Sequence, residues 1–125
     1  MAMPPGINPH DGRELELMLR GTKKFAVFAA PAVARDSLPD ASFAPHVATG
    51  RFLRREFTSN HKATGTPMVT ICFALAGEGW RVDALRSLQA LPRSDEQERQ
   101  IGRLLGYTAE EIAAYLEYGR QLRQA

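Results

Sequence analysis

Apolar positions alternate, cluster and recur at helical spacing along this chain, and the changes of rhythm mark out its elements. Asp11 opens the first helical signal, with Glu14 three residues on in the capping-box position. Leu15, Met18 and Leu19 then share one face, and Gly21 supplies a stop. Lys24 to Ala30 (KFAVFAA) is short, apolar and bounded by Gly21 and Pro31, the pattern of a buried strand. Pro31 to Ala41 reads as a loop. Ser42 is placed to cap a short helix that ends near Thr49 and Gly50.

Arg51 to Thr58 (RFLRREFT) predicts a strand, and the polar stretch Ser59 to Thr66 predicts a hairpin loop. Met68 to Ala76 (MVTICFALA) is the clearest strand in the chain. Gly77-Glu78-Gly79 signals a tight turn. Trp80, Val82 and Ala84 alternate beyond it, although Trp80, Ala84, Leu88 and Leu91 also fit a helix. The flanking glycines and the β-forming Trp and Val favour a strand from Trp80 to Leu85, closing a hairpin, with a helical turn to Leu91. Ser94 with Gln97, and Thr108 with Glu111, are two capping boxes in succession, each opening a helix. Ile112, Tyr115, Leu116 and Leu122 line one side of the second.

These elements predict an α+β fold. A small antiparallel sheet of three to four strands would carry an N-terminal helix and a capped C-terminal helical pair packed on one face. Residues 1–10, with three prolines, form an irregular lead-in, and 11–125 form one domain. At 125 residues, 44% apolar and 24% charged, the chain has material for one ordinary core.

Composition narrows the chemistry. Cys72 is the only cysteine, so an internal disulfide and a multi-cysteine zinc site are excluded, and its apolar neighbours mark it as a core thiol. The lead-in has no basic patch followed by an apolar run, and no apolar stretch approaches about 20 residues. A cytoplasmic protein of bacterial type, with no membrane contact, is expected. His10, His46 and His61 stand too far apart for a local metal motif, and neither phosphate-binding glycine loops nor a nucleophile elbow occurs. No metal or cofactor is expected.

The net charge of +2 is small, but its distribution is uneven. From Arg20 to Lys62 there are eight Lys and Arg against three acids. The densest part is the strand-loop Arg54-Arg55-Glu56-Phe57-Thr58-Ser59-Asn60-His61-Lys62. Arginine forks bind carboxylate or phosphate bidentately, and His61 has the ordinary pKa range of a proton carrier. Arg54, Arg55, His61 and Lys62 are therefore the candidate binding residues, with Tyr118 as a spare aromatic on the last helix. Adjacent strand residues point to opposite faces, so Arg54 and Arg55 share one face only at a bulge.

The function expected is a non-catalytic binding or regulatory protein that recognises a protein partner or an anionic ligand through this basic strand-loop. The alternative is a small enzyme acting on a phosphate or carboxylate substrate, with His61 and Glu56 in acid/base roles and Asp83 beside them. Nucleic acid is a weaker expectation, because the phenylalanines lie in apolar strand contexts and are not interleaved with the basic residues.

Overall fold

The computed structural model describes residues 8–124. Its elements in chain order are α1 (Glu14–Leu19), β1 (Phe25–Pro31), a 3₁₀ segment (Ala32–Ser37), α2 (Asp40–Ala48), β2 (Phe52–Asn60), β3 (Pro67–Leu75), α3 (Trp80–Gln89), α4 (Asp95–Leu104) and α5 (Ala109–Gln124). The fold is α+β, as the sequence predicts. Most of the expected lead-in, residues 1–7, lies outside the described residues.

The three strands are ordered β1-β3-β2, with β3 antiparallel to both neighbours. β1 and β2 therefore run parallel, split by β3, and α2 lies in the connection between them. Phe25 stands opposite Ala74, and Phe52 opposite Leu75. Every residue of β3 from Val69 to Ala74 is buried. That explains its sequence, apolar except for Thr70, because a strand covered on both faces has no need of alternation.

Two clusters divide the core. Met18, Phe43, Phe52, Val69, Ile71 and Phe73 fill the face covered by α1 and α2. Phe25, Cys72, Ala74, Val82, Leu85 and Leu104 fill the face covered by α3 and α4. The C-terminal helices thus lie across the sheet from the N-terminal helix, rather than all helices gathering on one face.

The segment Trp80–Leu85 is the main correction. It is helical, not a strand, and the sheet has three strands among the described residues. Both neighbours of β3 are already taken, so a hairpin partner after Gly77 has no free edge of β3 to join. The helix buries Val82 and Leu85 at i and i+3, and Trp80 is left 56% exposed. Gly77 makes the turn with φ of +86°, which a side chain would oppose. Two caps also differ. Arg13 precedes α1 in place of the expected Asp11, and Pro39 precedes α2, with Ser42 Oγ donating to the Pro39 carbonyl.

Of the two expected C-terminal capping boxes, Thr108 and Glu111 form the full reciprocal pair, and Ser94 caps α4 while the Gln97 amide turns to the end of α3. Ser94 Oγ accepts from Gln97 N, and Thr108 and Glu111 exchange side-chain to backbone bonds at 3.1 and 2.7 Å. Gln97 Nε2 also donates to the Leu88 carbonyl at 2.8 Å, tying the end of α3 to the start of α4. α5 closes on α4 at Gly102, where an added Cβ would stand 2.8 Å from Ile112 Cγ1. Gly102→Ala gains about 1 kcal/mol of helix propensity but forces α5 outward, at about 1–3 kcal/mol of overpacking. A net loss on the order of 1 kcal/mol is expected in urea denaturation; a stabilised variant would contradict this contact.

Candidate functional site

The basic strand-loop does not present one surface. Alternation along β2 sends Arg54 and Glu56 to the α2 side and Arg55 to the α3 side. Arg54 is clamped by Asp40, with Nε to Oδ1 at 3.0 Å and Nη2 to Oδ2 at 2.7 Å, and its Nη2 also reaches Glu56 Oε1 at 2.8 Å. Arg35 forks onto the same carboxylate, with Nη1 to Oε2 at 2.6 Å. The four side chains brace the 3₁₀ segment and α2 against β2. Hydrogen bonds from Arg35 and then Arg54 push Glu56 down to about 2. Its oxygens are engaged, and it makes a poor base.

His61 closes the β2–β3 turn. Its backbone N donates to the Thr66 carbonyl at 2.8 Å, and its Nδ1 accepts from Ala63 N at 3.2 Å. Asp83 is exposed in the first turn of α3. α3 starts beyond the end of β3, whereas His61 sits at the hairpin before its beginning, and Glu56 faces the opposite layer. The fold does not bring His61, Glu56 and Asp83 together. Arg55 and Lys62 remain exposed, Arg55 Nη1 donating to the Arg54 carbonyl.

A different site emerges beside β1. A groove of about 590 Å³ runs between the outer edge of this strand and α4 and α5. Its apolar lining includes Val27, Phe28, Ile101 and Leu105, with Tyr107 and Tyr115 added from α5 and the loop before it. Among the described residues four carboxylates line it, namely Asp11, Glu14, Glu98 and Glu111, and no lysine or arginine does. Glu98 is paired with Arg93 at 2.9 Å, and Glu111 caps α5. A smaller depression of about 230 Å³ shares Glu98 and Tyr115 with the groove and includes Tyr118 and Leu122. Tyr118 is the one expected binding residue that lines either depression.

One cation stands behind the groove. Lys23 is 3% exposed, its Nζ reaching His10 Nδ1 at 2.9 Å and the Leu105 carbonyl at 2.5 Å, and it lies 5.0 Å from the centre of the Tyr107 ring. His10 stacks on Tyr107 with centroids 4.0 Å apart. Burial lowers Lys23 to about 8, partly offset by Glu14 and Glu111. Burial also lowers His10 and pushes Tyr107 up to about 12. Lys23 anchors the carbonyl end of α4, where a cation suits the helix dipole.

The sequence gives little warning of this groove. Asp11, Glu14 and Glu111 each have a local capping explanation, and only the tertiary fold brings them round one cleft. Among the described residues, no group of three or more His, Cys, Asp or Glu is arranged to hold a metal ion, and no helix is long and apolar enough to cross a membrane. Comparison with known proteins gives no match: no family model, no curated sequence and no solved structure is significantly similar to this chain.

Proposed function

We propose that the protein is a non-catalytic binding module that recognises a protein partner through the acidic groove beside β1. The observation that carries this reading is the lining itself: four carboxylates and two tyrosines around an apolar floor, with no basic side chain among the described residues, on a chain of net charge +2. An apolar centre with aromatic anchors and a charged rim is the anatomy of a recognition surface. Three of the polar groups there already hold structural partners, Glu98 with Arg93, Glu111 with Thr108 and Ser37 with the Ala34 carbonyl. The enzyme alternative with His61 and Glu56 draws no support from the geometry.

A second reading, capture of an anionic ligand by what remains of the basic strand-loop, is favoured by one observation. Arg55 and Phe57 share a face of β2, and Arg86 of α3 stands over the Phe57 ring at 4.7 Å, so two guanidinium groups flank one face. The proposal includes a cytoplasmic setting, supported by the single buried thiol of Cys72.

Selection from a displayed library of random peptides tests the two readings. The groove reading expects basic peptides whose binding is lost in Asp11→Lys/Glu14→Lys and kept in Arg55→Glu/Lys62→Glu. The reverse pattern would move recognition to the strand-loop, and enrichment by neither surface would overturn both.

A further inference from the structure

We infer that the partner enters the groove as an extended, lysine- or arginine-bearing segment that adds to the free edge of β1 as a fourth strand. The inference rests on the groove reading above and supplies its mode of recognition.

The hydrogen-bond phase of the sheet fixes which groups of β1 are open. Leu75 N donates to the Lys24 carbonyl at 3.0 Å. In an antiparallel ladder only alternate residues exchange bonds with the partner. Ala26, Phe28 and Ala30 therefore turn their backbone groups toward β3, and Val27 and Ala29 turn theirs outward. The other edge agrees, because Ala76 N donates to the Arg51 carbonyl and so assigns the even-numbered residues of β3 to β2. Among the described residues no strand pairs with the outer side of β1. Val27, Phe28 and Ala29 all line the groove, so both outward-turned residues of this edge lie in it.

The two edges of the sheet are treated differently. β2 carries Arg54, Arg55 and Glu56, the charged side chains that ordinarily discourage edge pairing. β1 reads Phe-Ala-Val-Phe-Ala-Ala with no charge, and its first proline is its last residue, Pro31. An unguarded apolar edge inside a cleft is the geometry of strand addition, in which backbone bonds give affinity and alternate side chains give specificity.

The charge of the groove sets the chemistry of the occupant. Asp11, Glu14 and Glu111 are in no ion pair among the described residues, and Lys23 is turned away toward His10 and the Leu105 carbonyl. A strand alternating apolar and cationic side chains would set the former against Val27, Ile101 and Leu105 and the latter against the carboxylates.

The test uses the full chain and a synthetic peptide of alternating lysine and valine, with two isomers N-methylated at one or the other set of alternate residues. All three carry the same charge. Strand addition expects the parent peptide to bind and to slow hydrogen exchange at Val27 and Ala29. One isomer should then lose about tenfold or more in affinity, and the other should keep it. Ala29→Pro should cause a comparable loss. It removes an outward N–H at an edge position where proline is tolerated, and preserved exchange protection in β3 would show that the sheet still stands. Equal binding by both isomers overturns strand addition while leaving the groove as a site for basic chains. Failure of the parent peptide to bind overturns it too, and the display selection then decides the groove reading separately. Protection of Val27 and Ala29 in the free chain would mean that the edge is already occupied, by residues 1–7 or by a second copy, and also overturns the inference.

Discussion

Phe73→Ala is expected to remove about 3–5 kcal/mol of stability, the range for truncating a buried aromatic. Phe73 is fully buried in the C-terminal half of the central strand. Its ring stacks on Phe43 of α2 with centroids 4.2 Å apart and meets Phe28 of β1 edge-on at 6.2 Å. One side chain therefore joins the central strand, an edge strand and the crossover helix. The loss includes about 0.5–1.5 kcal/mol of ring-to-ring interaction beyond the buried area. Against a total stability of about 5–15 kcal/mol for a domain, a large fraction of the folded population is at stake. Urea denaturation followed by circular dichroism measures it. Phe73→Leu should recover more than half of the loss by filling most of the void. A Phe73→Ala variant within about 1 kcal/mol of the parent would show that the α2 face of the sheet is not a packed layer.

The central strand and the C-terminal helix starts were readable from the chain, whereas the division of the helices between two faces was not. The largely apolar run of β3 needs cover on both faces, and the caps at Ser94 and Thr108 need only local hydrogen bonds, so both signals survive folding. Trp80 to Leu85 was not readable in the same way. Val82 is buried under either rhythm, and the deciding facts are distant: β1 has taken the edge of β3 that a new hairpin would need. The candidate site fails for the same reason. The charges of Arg54 and Glu56 are plain in the sequence, but the residues that neutralise them, Asp40 and Arg35, lie 14 and 21 positions from their partners. Three of the groove carboxylates, Asp11, Glu14 and Glu111, likewise read one by one as helix caps, and the convergence of all four follows only from the docking of α4 and α5 beside β1.

The second large effect concerns Lys23 and the dependence of stability on pH. Burial holds the folded amine at about 8 against an ordinary 10.5. Between those values the unfolded chain binds a proton that the folded chain does not, so stability rises with pH across this window and is lost as pH falls through it. At roughly 1.4 kcal/mol per pH unit the full effect is on the order of 3 kcal/mol. Two other buried groups act with the opposite sign. Burial raises Cys72 from 9.0 to about 11 and Tyr107 from 10.0 to about 12, and each costs stability as pH climbs past its unfolded value. The parent chain should therefore gain stability from pH 8 to about 9, level off as Cys72 offsets the gain, and decline above about 10. Lys23→Met keeps most of the length of the side chain and removes the titrating amine. It leaves Glu14 and Glu111, the carboxylates acting on Lys23, together with His10, Tyr107 and Arg13 on the neighbouring segments. The stability of the parent relative to this variant should rise by about 3 kcal/mol between pH 8 and 10.5, read from urea midpoints at matched ionic strength. A difference that stays flat across that window would mean that Lys23 keeps its ordinary proton affinity, and that the amine is solvated rather than sealed between His10, Tyr107 and the end of α4.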